Sequence, residues 1–191
     1  LQQDGVWDMN RELPLPRPAL RIAIVSSDTA AGYQDFMNEL GRNAYRFETT
    51  LFRSLMQGDA AEESIVAALT AIAAREDEFD VVAIIRGGGS TSDLALFDSY
   101  LIASYVAQFP LPIFSGIGHD KDISVVDMVA HTSLKTPTAV ATKFVEMVDC
   151  EMSLIDNLAT DIAYLVESRL KTEIMRIYTL STDIERHATS I

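Results

Sequence analysis

Val81-Val82-Ala83-Ile84-Ile85-Arg86-Gly87-Gly88-Gly89-Ser90 is a run of five apolar residues that breaks at once into an arginine and three glycines. A mostly β-branched run of that length, bounded by glycine, reads as a strand buried on both faces, as the strands of parallel sheets are. About thirty residues further on, Pro112-Ile113-Phe114-Ser115-Gly116-Ile117-Gly118-His119-Asp120-Lys121-Asp122 repeats the form and ends beside an imidazole and two carboxylates. Both breaks then lie at carboxyl ends of strands, the edge of an open α/β sheet where ligands bind because loops from several strands meet there. Arg86, His119 and Asp122 are expected to converge on that edge.

The neighbouring segments fit the same frame. Arg21 to Ser27 reads as the first strand, and Asp28 or Ser27 is placed to cap a helix running to about Tyr45, with Tyr33, Phe36, Met37 and Leu40 on one face and Asp35 in its early turns. Thr49 to Leu55 reads as a second strand. Ala60 to Arg75 has helical periodicity through Ile65, Ala68, Leu69 and Ile72, and Ser92 to Gln108 through Leu94, Phe97, Leu101, Ile102 and Tyr105, all expected inward. Strands alternating with helices call for parallel pairing. The expected fold is α/β: an open, mostly parallel four- or five-stranded sheet flanked by helices over residues 21–135.

Two appendages flank that domain. Residues 1–20 contain Leu13-Pro14-Leu15-Pro16-Arg17-Pro18, and alternate prolines fix φ and remove donors, so an extended connector is expected there. Thr136-Pro137 opens a helix, proline being tolerated in a first turn, and neither Gly nor Pro occurs from Ala139 to Ile191. Apolar positions including Phe144, Val148, Ile155, Leu158, Ile162, Leu165, Ile174, Ile177 and Ile184 recur mostly at 3, 4 or 7, interrupted near Arg169. Residues 136–191 therefore read as a long, coiled-coil-like helical arm, with two helices joined by a polar turn near Ser168 as the alternative. The apolar seam of the arm implies self-association.

Composition bounds what the chain does. With 191 residues and 48% apolar content, and a mean hydropathy of +0.13, the chain has material for a folded core. It contains no apolar run of about 18 residues and no signal peptide at Leu1-Gln2-Gln3-Asp4, and its one cysteine, Cys150, cannot form an internal disulfide. A reducing cytoplasm and no membrane association are expected. The net charge of −13 argues against a polyanionic partner, yet a sum over the surface says little about the sign inside one cleft. The chain opens in mid-pattern without Met, so a piece of something longer is expected, its basic surface carried elsewhere.

The motifs point to phosphate chemistry. Gly87, Gly88, Gly89 and Ser90 let backbone N–H groups approach a ligand with no Cβ in the way, at the start of a helix whose N-terminus favours anions. The loop is neither Gly-x-Gly-x-x-Gly nor a Walker loop, so neither a dinucleotide nor ATP is implied. His119 can serve as general base or acid near neutral pH, with Asp122 orienting it or holding a water. One local histidine is thin support for a metal, and the metal stays unassigned. Asp35 alone is an ordinary helix carboxylate. His187 reads as solvated, and His131 as a residue near the cleft or on the surface.

Five motifs in order resemble the catalytic domain of the exodeoxyribonuclease VII large subunit. They are Arg21 to Asp35 with Ser26-Ser27-Asp28-Thr29-Ala30-Ala31-Gly32-Tyr33, then Gln57-Gly58, Arg86 to Leu94, Gly118 to Asp122, and Lys135-Thr136-Pro137-Thr138-Ala139. The resemblance covers about Gly5 to Phe144, and the rest is similar to the start of the family's helical arm. Departures are Asp120-Lys121 where the family has Glu-Thr, Thr91-Ser92-Asp93-Leu94-Ala95 where it has Leu-Glu-Asp-Leu-Trp, and Ala30 in place of Gly. The chain thus departs at Ser92 and Ala95 from a loop in which the resemblance implies substrate contacts.

The resemblance implies a nuclease that hydrolyses single-stranded DNA to oligonucleotides from both 5′ and 3′ ends, with Asp35, Arg86, His119 and Asp122 as catalytic residues. It implies a complex with several copies of a small subunit on the helical arm, and a separate N-terminal OB-fold that grips the strand. A divalent cation such as magnesium is compatible with that chemistry but not required. The alternative is a non-enzymatic, flavodoxin-like module that binds a phosphorylated metabolite and signals through its arm. A sensor has no need of Asp35, Arg86, His119 and Asp122 on different connections of one sheet edge.

Overall fold

Parallel pairing runs through the whole sheet. In a computed structural model that describes residues 1–87, 91–117 and 123–188, the strands are β1 (Arg21–Ser26), β2 (Glu48–Arg53), β3 (Val81–Ile85), β4 (Ile113–Gly116) and the two-residue β5 (Thr132–Ser133). Their order is β2-β1-β3-β4-β5, and every pair is parallel, with Ile22 opposite Val81, Val82 opposite Ile113 and Phe114 opposite Thr132. The helices are α1 (Ala31–Leu40), α2 (Ala61–Ala73), α3 (Tyr100–Ala107), α4 (Val125–Val129) and α5 (Pro137–Ala188), with short 3-10 segments at Glu76–Glu78 and Thr91–Asp98.

All five residues of β3 are fully buried, because the strand is central and covered on both faces. On one face Ala23, Val25, Val82, Ile84 and Ile113 meet Ile65, Leu69 and Ile72 of α2, Ile102 and Val106 of α3 and Val126 of α4. On the other, Ile22, Ile24, Val81, Ala83, Ile85 and Phe114 meet Phe36 and Leu40 of α1 and Val140, Ala141 and Phe144 of α5. Phe144 anchors that second layer, its ring 4.7 Å from Phe114 and 6.3 Å from Phe36. At Gly116 a Cβ would stand 2.7 Å from Cγ2 of Val140 and 3.2 Å from the carbonyl oxygen of Thr136, so the start of α5 lies directly on β4.

Two local expectations are corrected, and the two-helix alternative for the arm falls. No side chain caps α1: its N-cap is Ala30, Asp28 pairs instead with Arg53 at 3.2 Å, Ser27 meets Thr29 at 3.0 Å, and the helix ends at Leu40. The single helix read over 92–108 is a 3-10 segment and then α3, parted where Ser99 Oγ accepts from the N–H groups of Leu101 and Ile102. That break resets the helical phase, so Leu94, Phe97 and Ile102 are buried while Leu101 and Tyr105, expected inward, are exposed. α5 runs unbroken past Ser168, and Lys171–Glu167 at 2.6 Å and Arg169–Glu173 at 2.9 Å brace it where the apolar seam lapses.

The chain divides into two units, Leu1–Val148 and Asp149–Ile191. Residues 1–13 form turns, and Asn10, fully buried, donates to the carbonyls of Phe109 and Leu111 and accepts from the N–H groups of Ile113 and His131. One amide thus ties the first turns to the amino ends of β4 and β5, since a buried Asn must fill both halves of its hydrogen-bonding capacity. Among the described residues no helix is long and apolar enough to cross a membrane.

Candidate functional site

Arg86 follows the last residue of β3 and is only 5% exposed. Its backbone N–H donates to the carbonyl of Gly116 at the end of β4, which keeps the sheet paired to its carboxyl edge. The next residue, Gly87, touches the start of α1: a Cβ there would lie 3.0 Å from the nitrogen of Gly32 and 3.3 Å from that of Ala31. The contact is reciprocal, because a Cβ on Gly32 would stand 2.7 Å from both the carbonyl oxygen of Arg86 and Cα of Gly87. Two glycines therefore let the first turn of α1 abut the chain leaving β3.

A cleft of about 400 Å³ opens at this junction, lined by Ser27, Thr29, Ala30 and Ala31 after β1, Leu55, Met56 and Gln57 after β2, and Arg86 and Gly87 after β3. A buried arginine in the lining, beside hydroxyls and the positive end of a ten-residue helix, suits an anion. Asp35 is exposed on α1 and lies outside this lining. Gly88, Gly89, Ser90, His119 and Asp122 lie outside the described residues, so of the expected constellation the structure brings together Arg86 and Gly87. Among the described residues no group of three or more His, Cys, Asp or Glu side chains is placed to hold a metal.

The connection after β4 is anchored by a carboxylate that the motifs did not single out. Asp127, 4% exposed, accepts from Ser115 Oγ of β4 at 2.6 Å, from Ser124 Oγ at 2.8 Å and from the Ser124 N–H at 3.1 Å, while its own N–H donates to Ser124 Oγ. This capping box fastens the start of α4 to β4. Asp98 adds a second tie by accepting from the Val125 N–H at 3.0 Å, so the connection after β3 is joined to the one after β4. The Ser124-x-x-Asp127 spacing was the signal for the first tie, and a glycine within the first turn of a helix, where it costs about 1 kcal/mol against alanine, was the signal for Gly32.

His131 has a structural place away from the cleft. It precedes β5 at the level of Ile113, stacks on Phe114 at 5.9 Å, and its Nε2 donates to the Leu13 carbonyl at 3.1 Å while Nδ1 meets Thr132 Oγ1 at 2.9 Å. Burial pushes its pKa down, against the opposing pull of the Leu13 carbonyl. His187 is exposed on α5.

Fold and cleft together define a parallel α/β protein with an arginine-lined pocket at the carboxyl edge of its sheet. The sequence model of the family described as "Exonuclease VII, large subunit" matches residues 6–191, and the chain belongs to that family. The exodeoxyribonuclease 7 large subunit of Lactobacillus helveticus is 38% identical over 141 residues, 74% of this chain and 32% of the relative. That of Cyanothece sp. is 36% identical over the same length, and that of Pseudomonas fluorescens 34% identical over 177 residues, 93% of this chain and 38% of the relative. The chain thus spans about a third of the length of the curated relatives it matches.

Proposed function

We propose that this chain is the catalytic part of a nuclease that hydrolyses phosphodiester bonds of single-stranded DNA, releasing oligonucleotides from both 5′ and 3′ ends. The observation that carries the reading is the buried Arg86 lining a cleft at the carboxyl edge, in a chain whose relatives are named exodeoxyribonuclease 7 large subunits. Arg86 and the N–H groups of Gly87, Gly88, Gly89 and Ser90 hold the scissile phosphate and offset the charge that builds on it in the transition state. Water attacks phosphorus, the P–O bond to the leaving nucleotide breaks, and His119 takes the water proton or supplies one to the leaving oxygen. Asp122 sets the tautomer of His119, and Asp35 positions the water or a divalent cation.

The partners in this reading are single-stranded DNA and several copies of the small subunit along α5, with self-association of the chain through the same exposed seam. The family membership does not favour the non-enzymatic module. In the complete complex, His119→Ala abolishes degradation of single-stranded DNA while strand binding persists. A near-full rate in that variant removes His119 from the mechanism.

A further inference from the structure

The cleft beside Arg86 is roomier than an isolated phosphate requires, its volume of about 400 Å³ lying within the roughly 300–1,000 Å³ of small-molecule sites. Its walls also differ in chemistry. On the β3 side stand Arg86 and Gly87, and on the β2 side Leu55, Met56 and Gln57. Because β1 lies between β2 and β3, the hydroxyls of Ser27 and Thr29, which follow β1, fall between those two walls.

Leu55 is 54% exposed, although the residues on either side of it, Ser54 and Met56, are buried. Its backbone is fixed, its N–H donating to Ser64 Oγ in the first turn of α2 at 3.0 Å and that of Ser54 to the carbonyl of Ser26 at 2.9 Å. An exposed apolar side chain on a fixed backbone, lining a cleft, is a platform for a flat apolar face. Gln57 beside it offers two N–H donors and a carbonyl acceptor.

We propose that this β2-side wall is a nucleobase subsite, resting on the placement of a phosphate at Arg86 given above. One nucleotide of the strand lays its base on Leu55, turns the base edge to the Gln57 carboxamide, sets its sugar by Ser27 and Thr29, and leaves its phosphate at Arg86. A carboxamide that both donates and accepts meets every base edge, and an aliphatic platform meets every base face. The subsite therefore takes any base, as a strand-degrading enzyme needs. The sheet order also gives the strand a course: the bound nucleotide lies on the β2 side of the phosphate, and the carboxyl end of β4 lies on the other.

The test is a titration of the intact chain, followed by backbone amide shifts, with inorganic phosphate, 2-deoxyribose 5-phosphate and thymidine 5′-phosphate. We expect the nucleotide to bind at least tenfold more tightly than the sugar phosphate, with the additional shifts centred on Leu55 and Gln57. In the double variant Leu55→Ala, Gln57→Ala that preference falls below about twofold; both residues are exposed, and the amide spectrum reports that the fold is kept. No preference in the unsubstituted chain, or an undiminished one in the double variant, overturns the base subsite. Phosphate-induced shifts away from Arg86 and Gly87 overturn the phosphate placement, and with it the reading on which the subsite rests.

Discussion

At Gly32 two backbones come closer than any side chain allows. A Cβ there would lie 2.7 Å from the carbonyl oxygen of Arg86 and 2.9 Å from the nitrogen of Gly87, and both are main-chain atoms with no rotamer to relieve the clash. Gly32→Ala therefore forces α1 away from the end of β3, at about 1–3 kcal/mol as for other overpacked sites, and widens the pocket that Arg86 lines. Chemical denaturation measures the loss net of the roughly 1 kcal/mol of helix propensity that alanine regains, and a raised midpoint would contradict the contact. The residue scale is also where the sequence was legible only in part. Arg86 and its glycines stood out because an ionisable group at the end of an apolar run is conspicuous. Gly32 and Asp127 did not, since their roles depend on what faces them: the chain leaving β3 in one case and the Ser115 and Ser124 hydroxyls in the other.

Among the elements, β1 and β3 share a fastening at their amino ends, opposite the cleft. Asp80 accepts from the N–H groups of Leu20 at 2.9 Å and Arg21 at 2.8 Å, and its other oxygen takes Nη2 of the Arg21 side chain at 2.6 Å. Partial burial works against ionisation of Asp80, but the hydrogen bonds and charge of Arg21 outweigh it and hold the pKa below the ordinary value. A carboxylate depressed in the folded state stabilises above its unfolded pKa of about 3.9, and that contribution is lost as pH falls through the lower folded value. Asp80→Asn should thus lower the thermal midpoint at pH 6, and the gap should narrow as pH falls below about 3.9; a gap independent of pH would refute the linkage. At this scale the sequence was legible where one element fills one pattern, as in β3 and α2. It was not legible where a side chain ends a helix inside an unbroken pattern, as Ser99 does, or where a strand is two residues long, as β5 is. A phase reset at Ser99 leaves the apolar spacing locally helical on both sides, so periodicity alone merges the two segments.

For the whole molecule the distribution of burial decides what each unit needs. Every buried apolar side chain among the described residues lies at or before Val148, and both faces of the sheet are covered by then, the second by Val140, Ala141 and Phe144 of α5. Beyond Val148, α5 keeps Ile155, Leu158, Ile162, Leu165, Ile174 and Ile177 more than half exposed. A helix without a packed face takes its stability from local pairs and propensity, and melts gradually. A chain ending at Val148 should therefore unfold in one cooperative step with a midpoint within about 4 °C of the full chain, the shift that roughly 1 kcal/mol produces at this size. The full chain should add a broad loss of helical ellipticity outside that step, and the self-association proposed for it should appear in sedimentation as concentration dependence that vanishes on truncation, because the seam leaves with the helix. A truncated chain that fails to unfold cooperatively would show that residues 149–191 complete the core. Association that persists without them would move the self-contact to the α/β unit and leave the seam of α5 for the small subunit alone.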